Sequence, residues 1–399
     1  MTGSAIPCLT LTRAFAALFL TIPALPAWAD DGGIQPPSAQ LGDWTASAGM
    51  SLSGAAYAAH QDGGENPKGV QAFAVVAPSI ARTFSDGWEA GVRSSMLVYH
   101  DHLSGDNYGN DVFEKFYLYA DTPYGRVEIG QQDGVGYSQS VAAPVVDGPP
   151  AINDANVTMF RDPSAGGNAL IGIFNLRTGM FISANDAKIS YISPRFGGVA
   201  FGVSYTPYQT KAFLPFTMTG HHVADRVNDM VEGVVNYSGQ IGDWKLQAFT
   251  ALGSGRDAAR TMGHDDPWDW SVGGETDTAL GDAKLSLGVA YRISNAYTFN
   301  MQQAASGART SNVDLGATYA AGPWTVGFEY ETGTADAAFG APALKESGWN
   351  PSVGYAVTAN LQMTLGWQAL HFHRDAGVFY NGKSAVDANG AYLHANFQI

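Results

Sequence analysis

Cysteine is all but absent from this 399-residue chain, with one residue, Cys8, inside the first thirty positions. A disulfide framework is excluded, and so is a cysteine-ligated metal centre. Charge is also scarce, at 14% of residues, and it falls on the acidic side, with 36 Asp and Glu against 21 Lys and Arg. That balance excludes nucleic acid as a partner, because phosphate backbones select basic surfaces. Past residue 29 no apolar run approaches the roughly 20 residues a membrane-crossing helix needs. The chain nevertheless has 48 glycines, 12% aromatics and a formal net charge of −15.

The first segment has a different character. Arg13 precedes the apolar run AFAALFLTIPAL, and Ala27-Trp28-Ala29 stands just before Asp30-Asp31. Pro23 and Pro26 interrupt the run, which reads as a secretory signal cut after Ala29. The expected organisation is therefore a cleaved signal peptide over 1–29 and a single domain over 30–399. Cys8 goes with the signal, so the exported chain has no thiol.

That domain repeats one pattern. In AKLSLGVAYRI, residues 283–293, Leu285, Leu287, Val289, Tyr291 and Ile293 alternate with Lys284, Ser286, Gly288, Ala290 and Arg292. A period of two sends the sets to opposite faces of a strand. Trp44 to Ser53, Asn312 to Tyr319, Trp324 to Glu331, Leu361 to Gln368 and Tyr392 to Ile399 do the same. About sixteen such strands are predicted, from 44–59 to 387–399.

Their connections alternate in length. Tight turns such as Gly281-Asp282, Gly322-Pro323 and Pro123-Tyr124 take every second place, and long polar segments such as HDHLSGDNYGND take the others. Hairpins with one short end and one elaborated end fit a transmembrane barrel. Sixteen strands with one apolar face would need a second layer in water, and the sequence offers none. Lipid is then the partner, and closure follows because an open edge in hydrocarbon leaves backbone groups unpaired at several kcal/mol each. The predicted class is an all-β, antiparallel, up-and-down transmembrane barrel of about 16 strands, with Trp44, Trp88, Trp244, Trp324 and Trp349 near strand ends as an interfacial girdle.

Two stretches, GRVEIGQQDG (125–134) and AKISYISPRFGGVAFGVSYTP (187–207), resemble segments of Gram-negative general porins of the alphaproteobacterial type. The resemblance implies an outer-membrane, homotrimeric barrel in lipid and lipopolysaccharide, through which small hydrophilic solutes and ions diffuse. It also implies a third external loop folded into the lumen, and the third long connection, about 134–185, is the longest. Family members often carry Arg where Gln131 stands, and usually end in Phe or Trp where this chain has Ile399.

A passive pore has no catalytic group; its selectivity comes from fixed charge around a narrow gap. Alternation points Arg93, Lys188, Lys245, Lys284 and Arg292 inward, with Arg126 and Glu128. Lys115 has a less clear face, and Pro78 leaves the register of Arg82 open. By resemblance, loop acids face wall bases, so the expected constriction is Asp147 and Asp154 against Arg93 and Arg126, supported by Arg82 and Lys115. The alternative for each is an ordinary solvated charge.

No cofactor is expected, with one calcium candidate. GHDDPWDW, residues 263–270, offers Asp265, Asp266 and Asp269 as oxygen ligands, although the spacing matches no EF-hand and a hydrated acidic loop is the plainer reading. His221, His222 and Asp225 lack a third spaced ligand. A carbohydrate-selective pore is the nearest alternative function, with Tyr99, Tyr117, Tyr119 and Tyr392 as a lumenal track. A barrel enzyme is more remote, since His371 and His373 have no G-x-S-x-G partner.

Overall fold

A computed structural model describes residues 33–62, 66–100, 113–153, 159–160, 177–180, 182–183, 185–209, 227–257, 265–295, 309–336, 343–374 and 384–399. The strands are β1 (Ser38–Leu41), β2 (Trp44–Gln61), β3 (Lys68–Thr83), β4 (Glu89–His100), β5 (Phe113–Thr122) and β6 (Gly125–Gln131). A short helix, α1 (Val135–Ser138), follows, then β7 (Ala187–Ile192), β8 (Val199–Tyr208), β9 (Val227–Ile241), β10 (Trp244–Asp257) and β11 (Trp268–Leu280). The chain finishes with β12 (Ala283–Ser294), β13 (Thr310–Ala321), β14 (Trp324–Ala335), β15 (Leu344–Ala356), β16 (Leu361–Arg374) and β17 (Ala385–Gln398).

Each strand from β2 to β17 pairs antiparallel with the next, and β17 pairs back onto β2 from Ala388↔Gln61 to Gln398↔Ser51. The ring of sixteen strands predicted from the alternation is closed. The small extra strand β1 was not legible in the polar sequence SAQL. It pairs with β2 from Ser38↔Ser47 to Leu41↔Trp44, on the edge where β17 stops. Ile399 fills the gap by exchanging both backbone hydrogen bonds with Met50, at 2.9 and 3.0 Å. The seam strand thus keeps its partners along its length.

Most of the tight turns hold two residues, and those at 85–87 and 358–360 hold three. Leu280 pairs with Ala283 around Gly281-Asp282, and Ala321 pairs with Trp324 around Gly322-Pro323. Gly281 and Gly322 stand at φ +64° and +55°, where a side chain would be strained and where two-residue hairpins need positive φ. Trp44, Trp88, Tyr124, Trp244 and Trp324 are exposed beside these turns, as a girdle requires.

Burial is inverted relative to a protein with a central apolar core. On β12, Leu287 and Val289 are 40% and 47% exposed, whereas Ser286 before them and Arg292 beyond them are buried. Phe201, Val203, Leu315, Val326, Phe328 and Leu365 are exposed in the same way on their strands. Ser190, Ser204, Glu232, Asn312, Glu329 and Thr364 are buried on the opposite parity. An apolar belt of this kind is stable only against acyl chains. Introducing Val289→Arg in the middle of β12 is expected to destabilise the barrel by about 2–4 kcal/mol, measured as reversible urea unfolding in lipid. A loss below about 1 kcal/mol would place Val289 out of the hydrocarbon.

Candidate functional site

The described parts of the connection from β6 to β7 lie inside the ring, and their backbone finds partners on the wall. Val135 N–H and Gly136 N–H donate to Ser204 Oγ (3.4 Å) and Glu232 Oε2 (3.0 Å). Farther along, Ala143 N–H donates to Asp314 Oδ2 (3.4 Å), while Ile152 and Asn153 N–H donate to the two oxygens of Glu329 at 3.0 and 3.1 Å. Gln362 Nε2 reaches Val146 O at 2.8 Å, and both Asn350 and Gln368 donate to Pro150 O. These groups replace water for a loop that would otherwise bury unpaired backbone.

Glycine makes room for this loop. A methyl group added at Gly288 would sit 2.6 Å from Pro144 Cδ, and one at Gly327 2.5 Å from Val146 Cγ2. Gly273, Gly316 and Gly354 stand in the same relation to Val141, Pro144 and Val146. All five lie on inward positions of β11 to β15, so the wall carries a shallow seat for residues 141–146. Apolar packing completes the attachment at both ends. Val135, Val141, Met180 and Ile182 pack on Met230, Val234, Phe249 and Ala251, and Ile152, Met159 and Phe160 pack on Leu370, Phe372, Val386 and Tyr392. Much of the inward face is therefore dry, including Ser286.

Asp147 has a different role from the one expected. Its Oδ2 lies 2.5 Å from His394 Nδ1, and His394 Nε2 lies 2.5 Å from Ser53 Oγ. All three residues are buried. The chain of hydrogen bonds links the loop to β17 and β2, so Asp147 anchors the loop and does not face the wall bases across water. Asp154 lies outside the described residues. Arg82 is corrected as well: its strand neighbour Ile80 pairs with Ala46 on the lipid-facing parity, and Arg82 bonds Asp43 at 2.8 Å beside the short turns, outside the lumen.

The remaining bases face inward on the wall that the described part of the loop leaves uncovered. Arg93 and Arg126 both lie against the ring of Tyr119, 4.7 and 4.4 Å from its centroid. Tyr119 donates to Glu89 at 2.6 Å, and Arg126 is flanked by Glu128 (2.5 Å) and Asp121 (2.6 Å). Lys115, two residues before Tyr117 on the same face, bonds Asp133 at 2.6 Å. Arg93 is the exposed member of this group. Lys284 reaches Asp277 at 3.0 Å, whereas Lys188 is buried and donates to Gln132 O at 2.5 Å.

The other candidates resolve locally. Arg292 grips both carboxylate oxygens of Asp269 at 2.8 and 2.7 Å in a buried pair, which takes Asp269 out of a calcium shell with Asp265 and Asp266. Among the described residues no three acidic or histidine side chains converge at metal-ligand spacing. Tyr392 is buried with its hydroxyl on Asn350 (3.0 Å), and Tyr119 is covered by arginines, so neither offers an open face to a sugar. His371 pairs with Asp387 at an exposed site. His221, His222 and Asp225 lie outside the described residues.

The anchor gives a direct test. His394→Ala leaves the Asp147 carboxylate buried without its imidazole and is expected to cost about 3–5 kcal/mol. Ser53→Ala removes a single neutral hydrogen bond and is expected to cost about 1 kcal/mol, both by denaturant unfolding. Equal effects would deny His394 its place as the central link.

Comparison with known proteins follows from this geometry. A sequence profile described as Gram-negative porin matches residues 14–371. No curated protein matches the sequence significantly. Among solved structures, the anion-selective porin from Comamonas acidovorans is similar at 14% identity and TM-score 0.58, over 89% of this chain and 100% of that one. Salmonella typhi OmpF, in a complex with daunomycin, is similar at 12% identity and TM-score 0.57, over 88% and 98%. The trimer form of Vibrio cholerae OmpT is similar at 12% and TM-score 0.54, over 89% and 99%. At these identities the structures attest the fold, and the profile spans most of the sequence. The chain belongs to the Gram-negative porin family, as a channel of the outer membrane.

Proposed function

We propose that this chain is exported with removal of residues 1–29 and forms a passive, water-filled channel for small hydrophilic solutes and ions, without catalysis. The observation that supports this reading is the infolded loop, whose described residues are tied to the wall from β7 round to β17 and so occupy part of the lumen. Family membership supports a homotrimer in lipid and lipopolysaccharide, and one similar structure is described as a trimer form.

Selectivity at the constriction rests on Arg93, the exposed base, with Arg126 compensated by Glu128 and Asp121 and Lys115 by Asp133. On the loop, the described stretch Ser138–Val146 is uncharged and Asp147 is buried against His394. Asp154, the other loop acid that the family resemblance implies, lies outside the described residues. Among the described groups, Arg93 then acts on the anions in transit, and Arg126 supports it through the shared Tyr119 ring.

Planar-bilayer recording is the test. Discrete conductance steps and liposome swelling that follows solute size are expected for a general pore; dependence on sugar identity would favour a carbohydrate-selective one. Replacing Arg93 and Arg126 by Gln is expected to shift the reversal potential toward cations in a salt gradient. Unchanged selectivity would remove both residues from the constriction.

A further inference from the structure

Behind the loop, β13, β14 and β15 place acids at adjoining rungs on the inner face. Asp314 pairs directly with Glu331 across β13 and β14, and Asn312 and Glu346 both pair with Gly333 from either side. Glu329 lies one inward position from Glu331. All five polar side chains are at least 97% buried. Like charges directly opposite in a sheet repel, and buried carboxylates are costly unless compensated.

The compensation in place is partial. Glu329 receives three hydrogen bonds, from Ile152 N, Asn153 N and Asn350 Nδ2. Asp314 Oδ2 receives Ala143 N and Asn153 Nδ2, and Asn312 Nδ2 donates to Arg177 O at 3.0 Å. Four oxygens on neighbouring side chains receive nothing: Asn312 Oδ1, Asp314 Oδ1 and both Oε atoms of Glu331. Asp314, Glu329 and Glu346 all act on Glu331 with negative charge, and Arg177 opposes them.

Water would satisfy the oxygens and leave the charge. Each proton would neutralise one carboxylate and bridge only one pair of oxygens, so it joins two side chains at a time. A hard cation accounts for both, since it takes six to eight oxygens from carboxylates, amide carbonyls and water. We propose that Glu331, Asp314 and Asn312 bind a divalent cation of the calcium class between the wall and the infolded loop. The shell has two carboxylates and one amide and is completed by water. The ion ties the loop down, because Asp314 also holds residues 143 and 153 and Asn312 holds residue 177.

The test uses the detergent-solubilised full chain, freed of lipopolysaccharide and stripped with chelator, titrated calorimetrically with Ca²⁺. One ion per chain is expected, with a thermal midpoint that rises with Ca²⁺. Glu331→Gln and Asp314→Asn are each expected to weaken binding at least about tenfold and to abolish the calcium-dependent shift in midpoint. The double variant Asp265→Asn, Asp266→Asn is expected to bind as the parent does. Absence of binding to the parent chain, undiminished binding by both single variants, or loss only in the double variant would each overturn the proposal. So would indifference to Ca²⁺ combined with a pH-dependent midpoint that Glu331→Gln removes, which would assign protons to the cluster.

Discussion

Everything in this structure depends on the requirement that no backbone N–H or C=O be left unpaired in hydrocarbon. Sixteen strands meet it by closing on themselves, and the closure decides which face of each strand meets lipid. Leu287, Val289, Phe328 and Leu365 face out because no protein layer exists to cover them. The same rule explains β1 and Ile399. Without them, the stretch of β2 beside the tight turns would present an open edge at the seam.

The lumen obeys a second requirement, set by the loop placed inside it. A loop against a wall must exchange water for protein hydrogen bonds, and the wall supplies Glu329, Asp314, Asn350, Gln362 and Gln368 as partners. It must also fit, and the inward glycines of β11 to β15 provide the depth. Polar residues of the inner face therefore divide into two kinds. Some, such as Arg93, stay exposed on the inner wall, and others from β7 to β17, such as Glu232, Glu329 and Gln368, hold the loop. Inward parity tells only that a side chain avoids lipid, as buried Ser286 and Lys188 illustrate.

The ring was legible in the sequence because alternation and turn residues act locally. AKLSLGVAYRI states its two faces within eleven residues, and Gly281-Asp282 marks its start. The docking of the loop was far less so. Asp147 meets His394 across 247 positions and Ile152 meets Glu329 across 177. Nothing local distinguishes a carboxylate that anchors from one that faces water. Family resemblance supplied a role for Asp147 that burial overrides, and Pro78 hid the parity of Arg82 until pairing with Ala46 and Ile80 fixed it. Inward glycines were visible at positions 288, 316 and 327, but their meaning required the loop to be seen lying over them.

One arrangement bears on the order of assembly. Ser53 belongs to the first strand of the ring, His394 to the last, and Asp147 to the loop, and they form one continuous chain of contacts. That chain has no counterpart before the two ends of the polypeptide have met. The loop's final attachment must therefore trail the zipping of the seam, and a nascent barrel still open at β2 and β17 lacks this fastening.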